Sequence, residues 1–345
     1  MEVLKGLKAC GLLQGRNLGV DSSIIEANAS LRGLVERNTA HSYREYVRKL
    51  ARQAGVNSND DAAVARFDKQ RKERTTSNKD WHNPHDPDAK VGRTKDGACD
   101  MVHKPEHIVD LDSSVIISAQ VRPGDAGDAT GFSGRVLDAV QRVEVLYGEP
   151  SAQGRSRVRS VTTDKGFHYG AELAILQHEA GLRTVVGDPN AQRRRLDKLE
   201  PEVRAAVRRA ARAVKSASGK KLLRLRGERI ERGFAHVLDC GGLRRTTLRG
   251  LEQINKRYLC GIIAFNLSVL MRQRIGWGTP KQMAAAAKAL RSLILRFWRL
   301  YTLLKVHSAA NARPTITPTT RSMIFTSLAL TGRNRNLPPR FSTGC

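Results

Sequence analysis

Four acids have the type and placement to do chemistry. Asp21 ends the run Asn17-Leu-Gly-Val-Asp-Ser22, and Asp164 ends Val158-Arg-Ser-Val-Thr-Thr-Asp164; both runs read as short buried strands. Glu228 and Glu231, three residues apart, share one side of a helix that follows a basic segment. Carboxylates gathered from separate elements can hold two divalent cations about 3.5–4 Å apart. One ion activates the attacking oxygen and the other the leaving oxygen of an in-line phosphoryl displacement. Mg2+ suits this role because it binds few carboxylates, keeps waters and accepts phosphate oxygens, with Mn2+ as its substitute. Each acid also fits a plainer role: a strand-end Asp caps a turn or helix, and the two Glu fit an Arg-paired helix surface. For the third position both Glu231 and Glu228 stay open.

The composition supplies a substrate for such acids. The 345 residues carry a formal net charge of +27, and the usual polyanion for that excess is nucleic acid. The excess is densest at 191–232. Arg193, Arg194 and Arg195 lead into a helix from Pro201 to Lys215 carrying Arg204, Arg208 and Arg209, which Ser218-Gly-Lys-Lys221 is expected to end. Lys220, Lys221, Arg224, Arg244 and Arg245 extend the candidate DNA-contacting set. Five widely spaced Cys argue against a disulfide framework or zinc ribbon and fit a reducing cytoplasm. Met1–Lys8 is too charged for a signal peptide, and the apolar run Leu259–Met271 is too short to span a bilayer and reads as a buried helix.

The elements that must position the acids form a mixed α/β pattern. Residues 2–13 read as a short helix. Residues 31–75 read as helical and polar, with Leu34, Tyr43, Tyr46, Val47 and Leu50 on one stripe. The loop Asp80–Lys90 is dense in turn formers; His82, His85, Asp86 and Asp88 in it are weighed as metal ligands and read as turn residues. Period-two patterning predicts a hairpin of Asp100–Asp110 with Ser114–Val121, where His103 and His107 share a polar face rather than a zinc site. A helix over 132–145, the Asp164 strand, a helix near 171–180 and a strand from Arg183 to Asp188 follow. Leu248–Gln273 reads as a long, largely buried helix, Leu290–Val306 as a basic amphipathic helix and 308–345 as a disordered tail.

Several stretches, in this order, resemble the DDE transposases of bacterial insertion sequences, in the branch related to the group with an insertion before the last acid. They are Gly19–Asn28, Asp80–Lys90, Lys104–Asp112, Pro123-Gly-Asp-Ala-Gly-Asp128, Thr163–His168, Arg226–His236, Gly242–Arg245, Leu248–Arg257 and Ala264–Leu267. The resemblance covers about Asn17 to Pro280. It implies a ribonuclease-H-like mixed sheet with flanking helices and helical insertions at about 31–75 and 191–222. It also implies a metal-bound triad of Asp21, Asp164 and Glu231, the Glu standing three residues before Phe234, with Glu228 as runner-up. Related families carry a Lys seven residues after that Glu, where this chain has Leu238. Residues 1–16 read as the remnant of a longer N-terminal helical region, and 281–345 depart from the family. The implied activity is metal-dependent strand cleavage and transfer at insertion-sequence ends, with inverted-repeat and target DNA as partners, a homo-oligomer on DNA and a nucleoid-associated cytoplasmic setting. The competing readings are a non-catalytic DNA-binding remnant and, through Leu290–Val306, a membrane-surface protein.

Overall fold

The computed structural model describes residues 1–72, 77–94, 96–148, 156–278 and 280–311. These form two units, Met1–Pro280 and a segment from Lys281 onward. The first is built on one mixed sheet. Strand β1 (Asn17–Ser22) continues after a short break as β2 (Ile25–Glu26), and a small separate pair joins β3 (Val35–Glu36) to β4 (Trp81–His82). The main sheet adds β5 (Lys90–Arg93), β6 (Cys99–Asp110), β7 (Ile116–Pro123), β8 (Ser160–Thr162) and β9 (Arg183–Val185).

Strand β6 organises the sheet because, at 12 residues, it pairs along its whole length. Strands β1 and β2 run antiparallel along one edge, and β5 and β7 along the other. Beyond β1 the sheet turns parallel, with β8 against β1 and β9 against β8. The hairpin expected at 100–121 is thus present, with a register shift between Ile108 and Val109.

The helices are α1 (Glu2–Ala9), α2 (Tyr43–Gln53), α3 (Asp61–Gln70), α4 (Phe132–Tyr147), α5 (Gly170–Glu179), α6 (Pro201–Lys215), α7 (Ala217–Phe234), α8 (Leu251–Ile275) and α9 (Pro280–Asn311). Around the sheet Leu18, Val20, Val109, Val136, Val143, Val161, Leu173 and Val185 form one continuous core. The segment before α4 contains short strands and two helices rather than one helical block. Leu34 lies outside any helix and packs with Trp81, Tyr43 and Tyr46, whereas Val47 packs with Ala51 and Val64. Residues 73–76, where that block was expected to end, lie outside the described residues.

Two other expectations change. Ser218-Gly-Lys-Lys221 does not end a helix: α6 stops at Lys215, and Ser216 caps α7, accepting a hydrogen bond from Gly219 N. The chain can turn that sharply because position 219 is glycine; a Cβ there would sit 1.9 Å from the Ala213 carbonyl oxygen. Helix α8 is buried on one face only. Tyr258, Ile262, Phe265 and Val269 face the core, while Leu259, Ile263 and Leu267 are exposed. Asn266 and Asn255 on its inner face explain that placement: they bind the backbone of β7 at Ile116 and Val121, occupying polar groups of an edge strand.

In the second unit, α9 runs to Asn311, so residues 308–311 continue a helix and only 312–345 of the expected tail lie outside the described residues. Leu290, Ile294, Phe297, Tyr301 and Leu304 recur along it at helical spacing. Among the described residues no helix is long and apolar enough to cross a membrane.

Candidate active site

The parallel pairing of β1 with β8 brings two acids together. Gly19 is level with Thr162 in that ladder, so two residues further along each chain Asp21 and Asp164 leave the same edge of the sheet side by side. Leu18 and Val20 point into the core. Gly19 and Asp21 therefore share the opposite face, which α7 covers. The helix approaches closely enough that a Cβ on Gly19 would lie 2.9 Å from Ile230 Cδ1 and 2.5 Å from Leu111 Cδ2.

That approach sets Arg226, one turn before Ile230, between the aspartates. Its Nη2 lies 2.7 Å from Asp21 Oδ2 and 3.7 Å from Asp164 Oδ2. The two acids are held differently. Asp21 is largely buried and accepts from Ser22 N at 2.8 Å. Burial pushes its carboxyl up to about 6, helped by the charges of Asp164 and Asp128 and opposed by Arg226 and the Ser22 N–H. Asp164 is 45% exposed, and its Oδ1 accepts from Gly166 N at 3.0 Å, capping the short turn Lys165–Phe167. Capping uses one of its oxygens and leaves the other turned to Arg226.

A further acid, Asp128 at the end of the Pro123-Gly-Asp-Ala-Gly-Asp stretch, completes the cluster. Its Oδ1 accepts from Ser22 Oγ at 2.6 Å and pairs with Lys104 Nζ at 2.8 Å. A Cβ on Gly166 would sit 3.2 Å from Asp128 Oδ2 and 3.3 Å from Asp164 Oδ1, so both carboxylates crowd the same glycine. Buried Glu106 steadies the loop that carries Asp128. It pairs with Arg122 and Arg135, which also donate to the carbonyls of Gly127 and Asp128. No spacing rule points to Asp128, Lys104 or Arg226, since each comes from a different element and only the fold unites them.

Glu228 and Glu231 lie on the exposed part of α7. Glu228 pairs with Arg232 at 2.9 Å, and Glu231 reaches back along its own helix to 4.0 Å from where a Cβ on Gly227 would stand. Asp21 and Asp164 are thus together, with both glutamates on the helix that delivers Arg226. Among the described residues no group of three or more His, Cys, Asp or Glu is assembled to hold a metal.

The histidines weighed for zinc have other work. His107 is fully buried, stacked 4.0 Å from Phe234 and hydrogen-bonded to Tyr258 Oη at 2.7 Å; burial pushes its pKa down to about 3. His103 is buried against Asp86 at 3.3 Å. Both therefore belong to the interior rather than to a polar face. Asp86 and Asp88 also accept from Gly250 N and Leu251 N, fixing the start of α8.

The family model for the transposase DDE domain matches residues 68–267, more than half of the chain. This chain belongs to the DDE transposase family. The match takes in Asp164, Glu228 and Glu231 and begins beyond Asp21. The sheet, with an antiparallel hairpin beside parallel strands and helices on its faces, is the ribonuclease-H-like arrangement of that family. No match to the chain emerges among curated proteins or solved structures.

The transposase's expected DNA-contacting residues lie on α6, α7 and the loops before and after them. Helix α6 buries Ala206, Val207, Ala210 and Ala213 and leaves Arg208 and Arg209 in solvent, with Arg204 half-buried. Arg193, Arg195, Lys220, Lys221 and Arg224 are exposed too. Three of the expected contacts already have acidic partners: Arg194 with Asp188 at 2.5 Å, Arg244 with Asp239 at 2.5 Å and Arg245 with Glu26 at 3.8 Å.

Proposed function

We propose that this transposase cuts DNA at the ends of an insertion sequence and joins the freed 3′ hydroxyl to target DNA, using Asp21, Asp164 and Glu231. Glu228 is the alternative third acid. The observation that carries the reading is the guanidinium of Arg226 drawn between Asp21 and Asp164. Two carboxylates at a rigid sheet edge, one buried at a cost, call for a cation. Their oxygens suit Mg2+ or Mn2+. When bound, a pair of such ions supplies an activated water and offsets charge on the leaving oxygen.

The chain's own residues would do the rest. The sheet fixes the spacing of Asp21 and Asp164. Ser22 and Lys104 hold Asp128 beside them and limit its repulsion. Exposed Arg208, Arg209, Lys220, Lys221 and Arg224 offer phosphate contacts that position a duplex. For Glu231 to join the aspartates, the Arg226 side chain must withdraw, since it occupies the space that α7 presents to them.

The test is nicking of end-sequence DNA by the purified full chain with Mg2+. Asp21→Asn and Asp164→Asn are expected to abolish nicking while DNA binding persists. Of the two glutamates, only Glu231→Gln is expected to do the same. Unchanged cleavage in either aspartate variant would remove the assignment. Salt-sensitive binding without any Mg2+-dependent nicking in the native protein would instead support the non-catalytic DNA-binding reading.

A further inference from the structure

A second feature lies at the opposite end of the sheet. Strand β1 runs from Asn17, whose carbonyl binds Leu111 N beside the β6–β7 turn, to Asp21, about 13 Å away at strand spacing. Against that turn is a cavity of about 250 Å³, lined by Ser113 and Ser114, by Arg229, Arg232 and His236 from α7 and its continuation, and by Arg272 of α8. Among the described residues no carboxylate lines it.

The donors there are only partly used. Arg229 Nη1 donates to Ser114 Oγ at 3.1 Å, but its buried Nε has no partner. His236 Nδ1 is likewise buried without one. Arg272 Nε donates to its own helix at Ser268 O, 3.3 Å away, and Arg232 pairs outward with Glu228. Burial first, then the charges of Arg272 and Arg232, lower the affinity of His236 for a proton and favour its neutral ring, and burial followed by Arg232 acts in the same sense on Arg272. The Ser113 hydroxyl donates to Asp110 Oδ2 at 3.0 Å, which leaves neighbouring arginines, the unpartnered Arg229 Nε–H and His236 Nδ1, and the Ser114 hydroxyl as the donor set of an oxyanion site. Ser114 adopts φ 70, a left-handed conformation that holds its hydroxyl against Arg229.

We propose that this pocket binds a phosphate group through Arg229, Arg272, His236 and Ser114, remote from the paired aspartates. At about 250 Å³ it suits one phosphate rather than an extended ligand. The group is either a backbone phosphate of DNA lying past the β6–β7 turn or a free phosphate.

Calorimetric titration of inorganic phosphate into the full chain tests this, in chloride buffer at fixed ionic strength with a chelator present. Arg272→Gln and Ser114→Gly are expected to weaken binding, the arginine change by roughly tenfold or more. Lys49→Gln on α2, exposed and outside both sites, is expected to leave it unchanged. Glycine suits the Ser114 backbone, so that variant keeps the test valid should Arg272→Gln unfold. A short duplex that displaces phosphate, with a salt slope smaller by about one in Arg272→Gln, identifies a backbone phosphate. A duplex that binds without displacing it identifies free phosphate. No phosphate binding by the native chain, or equal binding in native protein and both pocket variants, overturns the proposal.

Discussion

Asp21→Asn is expected to make the protein more stable at neutral pH. The carboxyl of Asp21 rises from 3.8 to about 6 on folding, mainly through burial. A folded state that holds its proton more tightly than the unfolded chain is favoured while the proton is on. Stability from this group is therefore fully present below about pH 4 and is lost as pH rises through 6. At about 1.4 kcal/mol for each tenfold change in proton affinity, the ionised acid costs about 3 kcal/mol at pH 7.5, with Arg226 already counted. Asparagine carries no such penalty. It does leave Arg226 with Asp164 alone at 3.7 Å, so a net gain of about 1–3 kcal/mol is expected. Urea unfolding of both proteins between pH 4.5 and 7.5, with a chelator present, measures this. Other carboxylates titrate in the same range, so the difference between the curves is the readout. It should open by roughly 2 kcal/mol from the acid to the neutral end. Parallel curves would refute the buried, destabilised Asp21 that the site reading relies on. Adding Mg2+ at pH 7.5 should then stabilise the native protein more than the variant, because an ion that binds only the folded state adds stability by mass action.

Three further outcomes follow from the same geometry. Arg226→Gln removes the attraction opposing protonation, so the Asp21 carboxyl should rise beyond about 6, and melting curves against Mg2+ should show stabilisation starting at lower concentration; a higher onset would mean Arg226 assists the ion. Gly19→Ala should cost about 1–3 kcal/mol in denaturant unfolding, since its methyl meets Leu111 and Ile230 at 2.5 and 2.9 Å and pushes α7 off β1; a neutral change would show the helix seat to be soft. Asp86→Ala leaves His103 and the Gly250 N–H without their partner in the interior and should cost about 2 kcal/mol or more, read as a lowered urea midpoint.

What the sequence made legible follows from which interactions are local. Strands β1, β6, β7 and β8 announce themselves because burial of alternate or consecutive residues is a period of the chain itself. The helix from Pro201 to Lys215 is legible, but its terminator is not, because the Gly and two Lys after Ser216 look like one. The actual terminator is a Ser whose side chain caps the next helix, and the tight approach of Gly219 to Ala213 is visible only in three dimensions. The inward face of α8 was overestimated for a related reason. An apolar run says that burial is available, but the two asparagines reaching β7 decide which side is buried.

The candidate site divides along the same line. Asp21 and Asp164 could be singled out because each ends a strand, and the parallel register then puts them level. Arg226 and Asp128 could not, because their relation to those acids is set by the seat of α7 on Gly19 and by the loop held by Arg122 and Arg135. That distinction bears on mechanism. A cation supplied by the chain's own helix favours the ionised form of buried Asp21, and the same helix carries Glu228 and Glu231. Any movement of α7 that withdraws Arg226 therefore changes the environment of both aspartates and both glutamates together. On the proposed two-metal reading, exchange of guanidinium for metal and recruitment of a third acid would be two consequences of one displacement.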